Sequence, residues 1–88
     1  MQEMTLTIKN KLGLHARPAA ALVQTAGRFK AKIRIIKDDQ EVDGKSIMGI
    51  MTLAAGYGVT LGFIIDGEDE VPAAAAVREL IERRFGEE

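Results

Sequence analysis

The chain has one histidine, and its setting, Gly13-Leu14-His15-Ala16-Arg17-Pro18-Ala19, suggests what it can do. A neutral imidazole nitrogen can attack phosphorus, and the phosphohistidine that forms stays reactive enough to be passed on. Apolar positions recur from Ala16 at Ala19, Leu22, Val23 and Ala26, one face of a helix. Pro18 falls in its first turn, where a missing N–H costs nothing. His15 is therefore expected at a helix N-terminus, where free backbone N–H groups and the macrodipole favour an anion. That positive end disfavours protonation of an imidazole, whose reference pKa is near ~6.5, and it can bind phosphoryl oxygens. Arg17 adds a fixed charge and a donor fork that matches phosphate. Gly13 permits a sharp turn and close backbone approach, and with Ala16 and Pro18 it is expected to position the phosphate. The same residues also describe an ordinary surface histidine and arginine before a helix, and the local pattern leaves both readings open.

The second chemical group is Ser46, ahead of Ile47-Met48-Gly49-Ile50-Met51. Its simplest role is to cap a short helix over 46–54. That helix has two apolar stripes: Ile50, Leu53 and Ala54 on one, Ile47, Met48 and Met51 on the other. A short helix on a sheet cannot bury both, so one stripe is expected to be exposed beside the histidine loop or near it. Methionines adapt to several partners, which favours a docking patch of Ile47, Met48 and Met51; either methionine alone fits a small core equally well.

The elements that must position these groups follow from periodicity. Met4-Thr5-Leu6-Thr7-Ile8 alternates as a half-buried strand does, and residues 9–14 form a polar loop. The first helix is expected to stop at Gly27. Lys32-Ile33-Arg34-Ile35 alternates again and returns through Glu41-Val42 as a hairpin, with a turn at Asp43-Gly44. The segment 59–65 is the most apolar strand, with Leu61, Phe63 and Ile65 on its core face. The last helix is expected to be capped by Asp69, with Glu70 and Pro72 in its first turn. Its stripe is Ala74, Val77 and Ile81 with Leu80 beside them; Arg83 and Arg84 sit at its negative end, and Gly86 closes it. Glu87-Glu88 is expected to be a frayed tail. The order β-α-β-β-α-β-α defines an α+β fold. A mixed or antiparallel four-stranded sheet carries three helices on one face, and Lys32 and Arg34 keep the other face wet.

Composition bounds the rest. Eighty-eight residues, 47% hydrophobic and 28% charged, suit a single domain, 1–88. The net charge of −1, with no basic block, argues against nucleic acid as a partner. The absence of cysteine excludes disulfides and thiolate metal sites. No signal peptide or bilayer-spanning run is apparent, so a cytoplasmic monomer is expected, with no cofactor, no metal and no membrane insertion.

Three segments together resemble one family. Gly13-Leu14-His15-Ala16-Arg17-Pro18-Ala19-Ala20, Lys45-Ser46-Ile47-Met48-Gly49-Ile50-Met51 and Gly67-Glu68-Asp69-Glu70 are similar, in order and spacing, to HPr, the phosphocarrier of the bacterial phosphoenolpyruvate-dependent sugar phosphotransferase system. The resemblance spans essentially the whole chain. It implies an open-faced sandwich of four antiparallel strands under three helices. It implies phosphorylation of His15 on Nδ1 by phospho-enzyme I, assistance from Arg17, and donation to the IIA domains of sugar transporters. The chain would be half of each partner's active site rather than an enzyme. Ser46 resembles the regulatory site phosphorylated by HPr kinase/phosphorylase. A phosphate there should stabilise the helix and repel acidic groups on enzyme I rather than unfold the carrier. Leu12, Ala20 and Tyr57 depart from common family residues and are expected to tune partner preference. Two rivals remain open: an interaction module in which phospho-Ser46 serves a catabolite-control transcription factor, and a carrier in a nitrogen-linked phosphotransfer chain. A free-standing enzyme fits worst, because no second acid–base group stands near His15 in the sequence.

Overall fold

Alternating apolar residues decide the sheet. The computed structural model describes residues 1–87, in the order β1 (Gln2–Thr7), α1 (Ala16–Gly27), β2 (Lys32–Lys37), β3 (Gln40–Asp43), α2 (Ile47–Thr52), β4 (Thr60–Asp66) and α3 (Glu70–Glu82), followed by a 3-10 turn at Arg84–Gly86. The strands lie in the order β1-β4-β2-β3, every pair antiparallel. Leu6 faces Leu61, Ile33 faces Ile65 and Ile35 faces Phe63. Side chains alternate with period two, so this register puts all six on one face, and all six are buried. Lys32 and Arg34 stay exposed on the other. The result is the open-faced sandwich of four antiparallel strands and three helices.

The helices close the core with Ala19, Leu22 and Ala26 from α1, Ile50 from α2, and Ala73, Val77, Leu80 and Ile81 from α3. The stripes differ slightly from expectation. Val23 and Ala74 are only half-buried, and Ala73 takes the core position at the start of α3. Gly27 is helical; α1 ends in a tightened turn, with Arg28 N–H bonded to Thr25 O and Phe29 N–H to Ala26 O, each at 3.2 Å.

Asp69 precedes α3, but its side chain makes no cap bond. Its two carboxylate oxygens accept the backbone N–H groups of Lys30 at 2.8 Å and Ala31 at 2.9 Å. The loop before β2 passes so close to residues 67–69 that a Cβ on Gly67 would lie 2.6 Å from Ala31 Cα. Asp69 therefore ties the α1–β2 connection to the start of α3.

The second helix is shorter than the apolar run implies. Leu53 follows α2 and is buried, while Ala54 takes a left-handed φ of 51° and is exposed. The chain leaves the helix there to reach the histidine loop. Among the described residues no helix is long and apolar enough to cross a membrane.

Candidate functional site

His15 is the residue that begins α1. Its backbone is extended, with φ −76° and ψ −171°, and its carbonyl accepts the Ala19 N–H at 3.0 Å. The ring makes no bond to the first turn, so the imidazole is not consumed as a cap. The N–H groups of Ala16 and Arg17 belong to that turn and have no intrahelical acceptor. Pro18, buried in the same turn, contributes no donor. Arg17 is exposed and, among the described residues, makes no ion pair.

The loop ahead of His15 is fixed by the segment that follows α2. Leu14 donates to Ala55 O at 2.8 Å, Ile8 to Val59 O at 2.9 Å, and Gly58 to Ile8 O at 2.9 Å. Gly13 has φ 68°, and a Cβ on it would lie 2.5 Å from Ala55 O and 2.6 Å from Gly56 Cα. Both facts require glycine. The histidine loop and the exit from α2 are thus one backbone unit.

That unit carries the apolar surface. Ile50 and Leu53 are buried, while Ile47, Met48 and Met51 are exposed, Met48 by 71%. Of the two stripes, the one containing both methionines is the one left open. Leu12 and Tyr57, at 75% and 69% exposure, lie on the two bonded loops. Large exposed apolar side chains on neighbouring segments are the kind of feature found at interaction surfaces. Ala20 is half-buried in α1. Beside the loop, Thr7, Lys9, Lys11, Tyr57 and Arg84 line a shallow groove.

Ser46 caps α2: its Oγ accepts the Gly49 N–H at 3.0 Å. The hydroxyl is half-buried at the start of the methionine stripe.

A further expectation, the frayed tail, also fails. Arg83 follows α3 as its cap, and Arg84, Phe85 and Gly86 then turn the chain back. Glu87 is not frayed: its Oε1 lies 3.1 Å from His15 Nε2 and 3.1 Å from Asn10 Nδ2. Glu88 lies outside the described residues. A second titratable group therefore does stand beside the histidine. Burial tends to raise the Glu87 carboxyl, but the hydrogen bonds from His15 and Asn10, with the charges of His15 and Arg17, outweigh it and hold the group below the usual carboxylate range. Asn10, fully buried, is the other residue the sequence did not single out. Its Nδ2 also donates to Gly13 O at 2.8 Å.

A partly exposed imidazole at a helix N-terminus, beside an adaptable apolar patch, is suited to receive a group from one macromolecule and give it to another. The fold and site define a phosphoryl carrier. The family model "PTS HPr component phosphorylation site" matches residues 2–83. The chain is 50% identical over 88 residues to the phosphocarrier protein HPr of Xylella fastidiosa Temecula1, covering 100% of this chain and 99% of that one. It is 46% identical over 84 residues to the phosphocarrier protein HPr of Treponema pallidum, covering 96% of each. Its structure matches the crystal structure of HPr-C-His from Thermoanaerobacter tengcongensis with a TM-score of 0.96 and 51% identity, over 100% of this chain and 99% of that one. The chain belongs to the HPr family of the phosphotransferase system. It is a phosphocarrier, not an enzyme.

Proposed function

We propose that His15 is the residue that carries the phosphoryl group, attacking through Nδ1. The observation that carries this reading is the position of the ring: it precedes α1, is held by Gly13 and Leu14 against Ala55, and is not spent on capping. HPr proteins take phosphate from enzyme I and give it to IIA domains, and this is the chemistry an exposed phosphohistidine supports. Arg17 neutralises the phosphoryl oxygens, while the backbone of Gly13, Ala16 and Pro18 sets where they sit. Ile47, Met48 and Met51, extended by Leu12 and Tyr57, form the surface on which both partners dock in turn. The chain works in the cytoplasm as one domain, and the single core that its helices share with all four strands supports the one-domain reading.

Ser46 is the regulatory site in this reading. Its Oγ already faces a first-turn N–H, so a phosphate added by an HPr kinase/phosphorylase stays at the favourable end of α2. The added charge then stands at the edge of the methionine patch. There it weakens docking of acidic surfaces on enzyme I and creates a surface for a catabolite-control transcription factor.

The test is a discharge experiment. Protein charged by enzyme I and phosphoenolpyruvate is mixed with a transporter IIA domain, beside a His15→Ala variant taken through the same steps. Label should leave the wild type and appear on the IIA domain, and none should pass through the variant. Retention of label by the wild type, with a regulatory acceptor discharging it instead, would favour the nitrogen-linked chain.

A further inference from the structure

The tail after α3 is built at a cost. Arg84, Phe85 and Gly86 take φ values of 58°, 57° and 76° in succession. The left-handed region is unfavourable for a non-glycine residue, so two such residues in a row imply compensating contacts. Phe85 packs against the core, Glu87 N–H bonds Arg84 O at 2.8 Å, and a Lys9–Glu82 ion pair at 2.9 Å joins the end of α3 to the start of the histidine loop. The reversal delivers Glu87 to His15, 72 residues away in sequence.

Hydrogen-bond chemistry fixes the protons in this cluster. Asn10 faces two acceptors, Gly13 O at 2.8 Å and Glu87 Oε1 at 3.1 Å. Its amide must present NH2 to them, because the flipped amide would set oxygen against oxygen. An ionised carboxylate only accepts, so His15 Nε2 must carry the proton it shares with Glu87. In the neutral ring the lone pair then resides on Nδ1, which has no hydrogen-bond partner among the described residues. The ring remains 37% exposed with Glu87 in place, so the contact does not cover the imidazole.

We propose that Glu87, held by Asn10, is a positioning residue for phosphoryl transfer: it fixes the His15 proton on Nε2 and stabilises the positive ring that forms when Nδ1 takes the phosphoryl group. This rests on the reading of His15 as the acceptor. As the Nδ1–P bond forms, the bond from phosphorus to the donor's leaving atom breaks and its electron pair returns to the donor. No proton leaves His15, so the ring gains a positive charge while its Nε2–H stays bonded to the carboxylate. Onward transfer reverses these changes: the P–Nδ1 pair returns to His15 and the ring becomes neutral. Arg17 is the other charged side chain whose field reaches this pair. It acts on the phosphoryl oxygens, while Glu87 acts on the opposite side of the ring.

The experiment compares wild type, Glu87→Gln and Glu87→Ala, with folding checked by thermal melts. Single-turnover phosphorylation by enzyme I is measured over a range of protein concentrations, and 15N spectra of the His15 ring are recorded in the free and phosphorylated forms. Glu87→Ala should slow the transfer step about five- to tenfold with little change in half-saturation, as expected for a partly exposed charge-assisted bond. Glu87→Gln, which still accepts the Nε2–H but carries no charge, should fall between the two. The phosphorylated ring should lose its Nε2 proton at lower pH in Glu87→Ala than in wild type. Wild-type rates with an unshifted phospho-ring titration in folded Glu87→Ala would overturn the proposal. Faster transfer in that variant would also overturn it, marking the tail as a latch. Failure of the acceptor reading is distinguishable, because then the wild type itself would gain no phosphate on His15.

Discussion

A Cβ on Gly13 would lie 2.5 Å from the carbonyl oxygen of Ala55, and the next residue, Leu14, donates its N–H to that same oxygen at 2.8 Å. The loop that presents the histidine and the loop that leaves the methionine helix are therefore in backbone contact. His15 and the methionine helix are thus placed by one joint, so in the proposed function a partner seated on the methionine stripe finds the imidazole at a set position.

Gly13→Ala tests that joint. The substitution meets both a left-handed φ and a backbone clash, and should cost about 2 kcal/mol or more, read as a lower urea midpoint. Phosphorylation by enzyme I should slow as well, because the ring loses its register with the patch. Wild-type stability would mean that the two loops separate freely.

Met48→Lys separates docking from folding. The side chain is 71% exposed, so stability should change by no more than about 0.5 kcal/mol. The concentration of carrier needed to half-saturate enzyme I should rise several-fold, in line with the ~1 kcal/mol or more lost on altering an interface anchor. An unchanged half-saturation would remove Met48 from the docking surface.

Ser46→Ala should destabilise by about 1 kcal/mol through loss of the bond to Gly49 N–H, while Ser46→Asp keeps an acceptor there and should fold normally. In transfer assays the order should reverse, with Ser46→Asp the poorer acceptor from enzyme I. An unfolded Ser46→Asp protein would contradict the view that charge at this site acts by repulsion.

Asp69 gives the fold an acid-sensitive tie. The Lys30 N–H lowers its carboxyl most; burial opposes that, and the Ala31 N–H and the Lys45 charge lower it further. The folded value is thus below the unfolded one, near ~3.9. Its contribution to stability is present above the unfolded value and lost as pH falls through the folded one. Asp69→Asn should lower the urea midpoint at pH 7, with the gap from wild type shrinking as pH falls below about 4. An equal gap at both pH values would show that the carboxylate charge is irrelevant.

Much of this molecule was legible because its signals are local. Leu6, Ile33, Ile35, Leu61, Phe63 and Ile65 alternate cleanly, and alternation requires no knowledge of the partner strand. Two apolar stripes on a helix as short as α2 cannot both be buried, so one must be exposed, and the adaptability of methionine favours the stripe with Met48 and Met51. Asp69 was misread because N-cap preference is local, whereas its acceptors went to amides of Lys30 and Ala31, some 38 residues away. Glu87 was hidden for the same reason: its place depends on three successive left-handed residues and on a buried Asn10. The available hints were slight, an apolar Phe85 anchoring the end of the chain and Gly86 permitting the turn.

The measurement that bears most directly on the central claim is mapping of the phosphate added by enzyme I, phosphoenolpyruvate and magnesium, by intact mass, acid lability and peptide mass, in wild type, His15→Ala and Ser46→Ala. One acid-labile phosphoryl group is expected on the peptide containing His15, unchanged in Ser46→Ala and absent from His15→Ala. Acid-stable phosphate on Ser46, or phosphate that persists in His15→Ala, would contradict it.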